Sequence, residues 1–257
     1  MKKLLPTLFS LFSISSANAY ASGKLITYSI GDKQFEGYLV EGGKKGSILI
    51  VHNWLGITDE TKSKVEDFAK LGYTVFAADI FGKGIRPKNP EEAKATTAQF
   101  YGNRNLLRER AAGAFDQLVK ASGPSQKNYA VAGYCFGGTT ALELARSGAP
   151  LKAVLSFHGG LDSPKPEDGK NIKGRVLALH GADDPFVPAE KLKAFEDEMR
   201  LNKVDWTLIK FGGAVHSFTD KTAGTDNSKG AAYNENADKR SWKAAKEFLT
   251  ESFSHSI

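Results

Sequence analysis

The stretch Gly133-Tyr134-Cys135-Phe136-Gly137-Gly138 follows the apolar run Ala130-Val131-Ala132 and precedes TTALELARSG, residues 139–148. An apolar β-type run, a glycine-flanked turn and a helical pattern in succession predict strand, sharp turn and helix. Such a turn carries a nucleophile elbow when its central residue takes strained backbone angles and glycines two positions to either side let strand and helix approach. Gly133 and Gly137 occupy those places around Cys135. A thiol at the start of a helix gains thiolate character from the helix dipole and nearby amides. The N–H of Phe136 then points at the carbonyl oxygen under attack. The competing reading is a buried cysteine beside a glycine-rich turn, and the choice between them rests on what else the chain supplies.

Outward from this motif, apolar runs alternate with amphipathic stretches. LITYSI (25–30) and QFEGYLV (34–40) flank Gly31-Asp32 and predict an opening antiparallel hairpin. Then come SILIVH (47–52), a helical stretch at 62–70, YTVFAAD (73–79), a helical stretch at 90–120, and NYAVAG (128–133). Beyond the elbow follow a helix at 139–146, LKAVLSF (151–157), RVLALH (175–180), a helix at 189–202, DWTLIKF (205–211) and a last helix at 238–251. Continuous apolar strands joined by crossover helices predict an α/β fold with a mostly parallel central sheet covered on both faces. The stretch 220–230, rich in Gly, Thr, Asn and Ser, reads as a loop. With no repeat, low-complexity tract or linker, residues 20–257 read as a single domain.

Met1-Lys2-Lys3, an apolar stretch at 4–15 and Ser16-Ala17-Asn18-Ala19 have the form of a secretory signal peptide, residues 1–19, cleaved after Ala19. The expected location is secreted or periplasmic, without stable membrane insertion after cleavage. The composition, 41% hydrophobic and 25% charged, is that of a globular chain. The net charge of +6 comes from interspersed signs, so it does not predict nucleic-acid binding. A single cysteine excludes an intramolecular disulfide, leaving Cys135 as a buried filler, an intermolecular partner or a reactive thiol.

A thiol nucleophile for acyl transfer needs a histidine and an orienting acid, which this kind of fold presents in the order nucleophile, acid, histidine. After RVLALH come Asp183 and Asp184, at the carboxyl end of a strand where such folds place their sites. Asp184 is the expected acid, and Asp183 a turn-former. After DWTLIKF a glycine-rich turn presents His216, the expected base. His158, also at a strand end, precedes the acids and is assigned to the pocket wall. His52-Asn53-Trp54-Leu55-Gly56 follows the first parallel strand, where this fold finds its second oxyanion donor, and the Trp54 N–H is the candidate.

The elbow, Asp184-Pro185-Phe186-Val187-Pro188 and Ala214-Val215-His216-Ser217-Phe218 together resemble the dienelactone hydrolase family of the α/β-hydrolase fold, over about residues 26–248. The resemblance implies a Cys135, His216, Asp184 triad that opens lactones or cleaves esters, with oxyanion donors at Trp54 and Phe136 and no cofactor or metal. Asn53, Lys83, Tyr134 and His158 are then the expected substrate-facing residues. Asn53 stands where those enzymes often carry a glutamate beside the thiol. Asp220 stands where chloroaromatic-pathway members have an arginine for the substrate carboxylate, and Lys83 is the candidate for the other cationic position. The expected activity is cysteine-dependent hydrolysis of a small-molecule ester or lactone by a monomer. The alternative is a noncatalytic or redox-responsive binding protein on the same scaffold.

Overall fold

The computed structural model describes residues 23–254, so the predicted leader lies outside the described residues. Strands β1 (Lys24–Ile30) and β2 (Lys33–Val40) form the expected antiparallel hairpin, with Ile30 opposite Lys33 and Gly31 at φ 59° in the turn. The chain then runs β3 (Ser47–Val51), α1 (Asp59–Lys70), β4 (Thr74–Ala78), α2 (Pro90–Gly102), α3 (Arg104–Ser122), β5 (Tyr129–Tyr134) and α4 (Phe136–Arg146). It continues through β6 (Ala153–Phe157), β7 (Arg175–Gly181), α5 (Ala189–Leu201), β8 (Trp206–Phe211) and α6 (Glu235–Ser254).

These strands form one sheet in the order β1-β2-β4-β3-β5-β6-β7-β8. β2 pairs antiparallel with β4, and every pairing from β4 through β3 to β8 is parallel. Side chains alternate across it with the two-residue period of a strand. Ile48, Ile50, Ala130 and Ala132 meet Val65 and Phe68 of α1 and Phe248 and Leu249 of α6. Leu49, Val51 and Val131 face the other way, toward Leu107 and Phe115 of α3, Leu142 of α4 and Phe195 of α5. Both faces are therefore covered, which is why the strands read as unbroken apolar runs.

The helical stretch expected at 90–120 is two helices. Asn103 ends α2 with φ −135° and ψ 84°, and its side chain accepts the Leu106 N–H at 3.0 Å to cap α3. A short amide side chain competes with the helical ladder in this way, and apolar periodicity does not register it. Helix α4 begins at Phe136, earlier than the expected 139, because Gly137 and Gly138, read as turn residues, serve as its first turn.

From β3 the chain builds outward first to β4 on one side and then to β5 on the other. Their carboxyl ends thus flank the topological switch point, where α/β sheets open a crevice. Helix α4, which must be held still for that crevice to keep its shape, is anchored by buried charge. The Arg146 guanidinium, fully buried, donates to Glu143 at 3.0 Å and to Glu198 of α5 at 2.7 and 2.8 Å. Arg108 of α3 bridges Glu143 and Asp168 at 2.8 and 2.6 Å. Arg146→Met would leave two carboxylates buried without their shared cation, an expected loss of at least about 3 kcal/mol. Urea unfolding should show a lower midpoint with an unchanged slope.

Candidate active site

Cys135 lies between β5 and α4 with φ 56° and ψ −117°, a conformation that L-residues rarely adopt. The packing around it leaves little choice. A Cβ on Gly133 would sit 1.8 Å from the Gly137 carbonyl oxygen, and one on Gly137 would sit 2.2 Å from the Val51 carbonyl oxygen of β3. The Cys135 N–H donates to Phe157 O of β6 at 3.0 Å, which ties the turn to the sheet. The residue is half-buried and sits at the N-terminal end of α4 without using its side chain as a cap. Its sulfur therefore remains available, beside the positive end of the helix.

His216 Nε2 lies 3.0 Å from Cys135 Sγ, and His216 Nδ1 lies 2.8 Å from Asp184 Oδ2. The other oxygen of Asp184 accepts the Phe186 N–H at 2.8 Å, so this buried carboxylate is oriented at both ends. Asp183 instead accepts the Gly213 N–H at 3.0 Å and stitches the turn that leads to the histidine. The His216 backbone is clamped by the loop beyond it, donating to Gly230 O at 3.1 Å and accepting from Ala232 N at 3.0 Å. Burial disfavours the imidazolium, but negative charge at Cys135 and the Asp184 hydrogen bond outweigh it and push His216 up to about 10. The arrangement is a sulfur, an imidazole and a carboxylate in one hydrogen-bonded row.

The end of β3 and the loop after it pack against the elbow, with the Val51 and His52 carbonyls next to Gly137. Backbone Ile80 N–H donates to His52 Nε2 at 3.2 Å, so Nδ1 carries the proton and donates to Asn53 O at 2.6 Å. Burial lowers His52 to about 4, and the ring, stacked on Phe136 with centroids 6.0 Å apart, is a neutral strut. Asn53 Oδ1 accepts the Leu55 N–H at 2.9 Å, and Asn53 O accepts the Gly56 N–H at 3.3 Å. Between these bonds the Trp54 N–H has no acceptor among the described residues. The Phe136 N–H, first in α4, has no intrahelical carbonyl within reach either. Both N–H groups are thus without an acceptor among the described residues.

His158 borders His216, with ring centroids 5.3 Å apart, and its Nε2 meets Thr219 Oγ1 at 2.8 Å. Burial, then the charge of His216, keeps it well below the usual histidine range. Tyr134 is buried on the other side of the elbow, stacked on Phe157 at 4.5 Å, and borders a separate cavity of about 380 Å³ rather than the sulfur. Asn53 uses its side chain within its own loop and toward Glu60, whose carboxylate accepts from Nδ2 at 3.0 Å. Lys83 is exposed and its Nζ donates to Thr27 of β1 at 3.1 Å. Asp220 turns back on Thr222 at 2.8 Å. Neither marks a cationic subsite. Two exposed aromatic residues border the elbow and His216: Tyr101 and Phe186 are 43 and 56% exposed, and Arg104 lies over the Tyr101 ring at 5.2 Å. Tyr101 rests edge-on against Phe136 and Phe186 edge-on against His216. Sequence reading missed Glu60 and Tyr101, since neither stands in a motif and only the fold brings them here; Phe186 lies in the Asp184–Pro188 stretch but carried no expected role there. Among the described residues no group of three or more His, Cys, Asp or Glu could hold a metal ion, and no helix is long and apolar enough to cross a membrane.

A family model described as the dienelactone hydrolase family matches residues 35–253. A putative carboxymethylenebutenolidase of Saccharolobus solfataricus is 24% identical over 80% of this chain and 89% of its own length. An uncharacterized protein of Caenorhabditis elegans is 35% identical over 57% of this chain and 94% of its own length. Among solved structures, one named m3DLH is similar with TM-score 0.85 at 38% identity, covering 90% of this chain and 98% of its own. A dienelactone hydrolase-like promiscuous phosphotriesterase from metagenomic libraries follows, with TM-score 0.83 at 36% identity and the same coverage.

Since the charge on Cys135 helps hold the proton on His216, the imidazolium should persist until the pH rises through about 10. In Cys135→Ala, NMR titration of the ring should place its pKa clearly lower. An unchanged titration would mean that the sulfur carries no charge.

Proposed function

Because this chain belongs to the dienelactone hydrolase family and is a lactone or ester hydrolase of that family, we propose that Cys135 is its nucleophile, His216 its acid and base, and Asp184 the group that orients His216. The contact of 3.0 Å between His216 Nε2 and Cys135 Sγ carries this reading. The thiolate adds to the carbonyl carbon, and the resulting oxyanion is met by the N–H groups of Phe136 and Trp54, each worth on the order of 3 kcal/mol of barrier. Collapse breaks the bond to the leaving oxygen, which takes the His216 proton. A thioester remains on Cys135.

Acylation removes the negative charge that raised His216, so the imidazole is left neutral when a base is next needed. It takes a proton from water as the hydroxyl adds to the thioester. The second oxyanion collapses, the acid leaves, and thiolate and imidazolium are restored. An available sulfur in hydrogen-bond contact with an oriented imidazole favours catalysis over a purely redox-responsive role.

The aromatic rings of Tyr101 and Phe186 beside Phe136 and His216 favour apolar acyl and alkoxy groups, and the outward engagement of Lys83 and Asp220 disfavours a substrate carboxylate. Neutral aliphatic or aryl esters and lactones are therefore the preferred substrates, with export through the 1–19 segment as the proposed route to them. An aryl phosphotriester belongs in the same panel, given the activity named for one relative.

Cys135→Ala should lower turnover of p-nitrophenyl esters by about a thousandfold or more without unfolding the protein, and Asp184→Asn by roughly a hundredfold or more. Retention of wild-type turnover in Cys135→Ala would exclude this mechanism.

A further inference from the structure

The mechanism above makes no use of Glu60, yet this residue holds the loop that carries the Trp54 N–H. Glu60 lies in the first turn of α1, and its Oε2 accepts from Asn53 Nδ2 at 3.0 Å. The same Asn53 side chain accepts the Leu55 N–H at 2.9 Å through Oδ1, while Asn53 O accepts from His52 Nδ1 at 2.6 Å and from Gly56 N at 3.3 Å. Asn53 is 8% exposed, so its amide has few alternative partners. Without the carboxylate, Nδ2 is left partly desolvated and unpaired, and the amide can rotate and release Leu55. The peptide between Asn53 and Leu55 is the one that presents the Trp54 N–H.

We propose that Glu60 is a positioning residue for hydrolysis, fixing the Asn53 amide so that the Trp54 N–H faces the developing oxyanion. This rests on the proposed role of the Cys135 triad. Glu60 also supplies a control by pH. Burial, followed by the negative charges of Asp220 on the His216 side and Asp238 on α6, pushes it up to about 7, against the pull of Lys64 on its own helix. Tyr134 shares the cavity with it, as do Lys221 and Lys239, the latter ion-paired with Glu235. Above pH 7 the carboxylate accepts from Asn53 with full charge. Below it, the protonated acid presents an O–H that competes with Asn53 Nδ2 for the same place. Activity therefore rises with pH through this range, by about the few-fold that separates Glu60→Gln from wild type.

The test compares wild type, Glu60→Ala, Glu60→Gln, Asn53→Ala and Cys135→Ala, as purified mature protein, on one p-nitrophenyl ester from pH 5 to 9. Because kcat/KM reports groups of the free enzyme, a limb near pH 7 there belongs to Glu60 and not to His216 in the thioester. Glu60→Ala should lose about tenfold or more in kcat with KM nearly unchanged. Glu60→Gln, which keeps an acceptor oxygen, should restore kcat to within a few-fold of wild type but lose the limb near 7. The double variant of Glu60→Ala and Asn53→Ala should be no worse than either alone. Wild-type kcat in Glu60→Ala, or a limb near 7 that survives in Glu60→Gln, would overturn the assignment. If Glu60→Ala melts too low to assay, the pH profile of Glu60→Gln decides alone. Loss of activity in Cys135→Ala alongside unaffected Glu60 variants would remove this inference and leave the triad standing. Full activity in Cys135→Ala would remove the triad itself.

Discussion

At residues 133 and 137 the chain has no room for a side-chain carbon, because the start of α4 is pressed against both its own strand and the carbonyl of Val51 on β3. This contact turns the backbone from strand to helix within one residue, and Cys135 takes the rare φ of 56° as a consequence. A relaxed turn would fold the sulfur back among the apolar groups that line α4. Here the residue packs against the edge of that core yet stays half-buried, with His216 Nε2 3.0 Å from its sulfur. The close approach also fixes the loop after β3 relative to the elbow, since His52 stacks on Phe136 and bonds Ile80.

Three histidines sit at strand ends near this point, and their surroundings give them different states. His52 is bonded at both nitrogens to backbone and stays neutral. His158 shares one nitrogen with Thr219 and is buried beside a cationic neighbour, which keeps its proton off. His216 lies between Cys135 and Asp184, and its interactions with them raise it above the usual histidine range despite burial. The charge that holds the proton is the one that acylation would consume, so one imidazole can serve first as acid and then as base.

Much of this was readable in the sequence where a local cause acts. Strand runs reflect burial on both faces, and the elbow declares itself through glycines whose neighbours are a few residues away. The order of Cys135, Asp184 and His216 follows from where strands end. What periodicity could not reveal depends on side chains competing with backbone or on distant contacts. Asn103 divides one expected helix because its amide caps the next. Lys83 reaches Thr27 across the hairpin, 56 residues away in the chain, and not toward the crevice. Glu60 reads as an ordinary first-turn acid until the fold sets it against Asn53.

In the proposed mechanism an acyl group passes through the sulfur of Cys135. Acid quench of the protein during turnover of a p-nitrophenyl ester, followed by peptide mass spectrometry, tests it directly. The account predicts a mass gain equal to the acyl group on the peptide containing Cys135, more abundant in His216→Ala after prolonged exposure because water then lacks its base. An acyl group found on a serine or tyrosine peptide, with Cys135 unmodified, would contradict it.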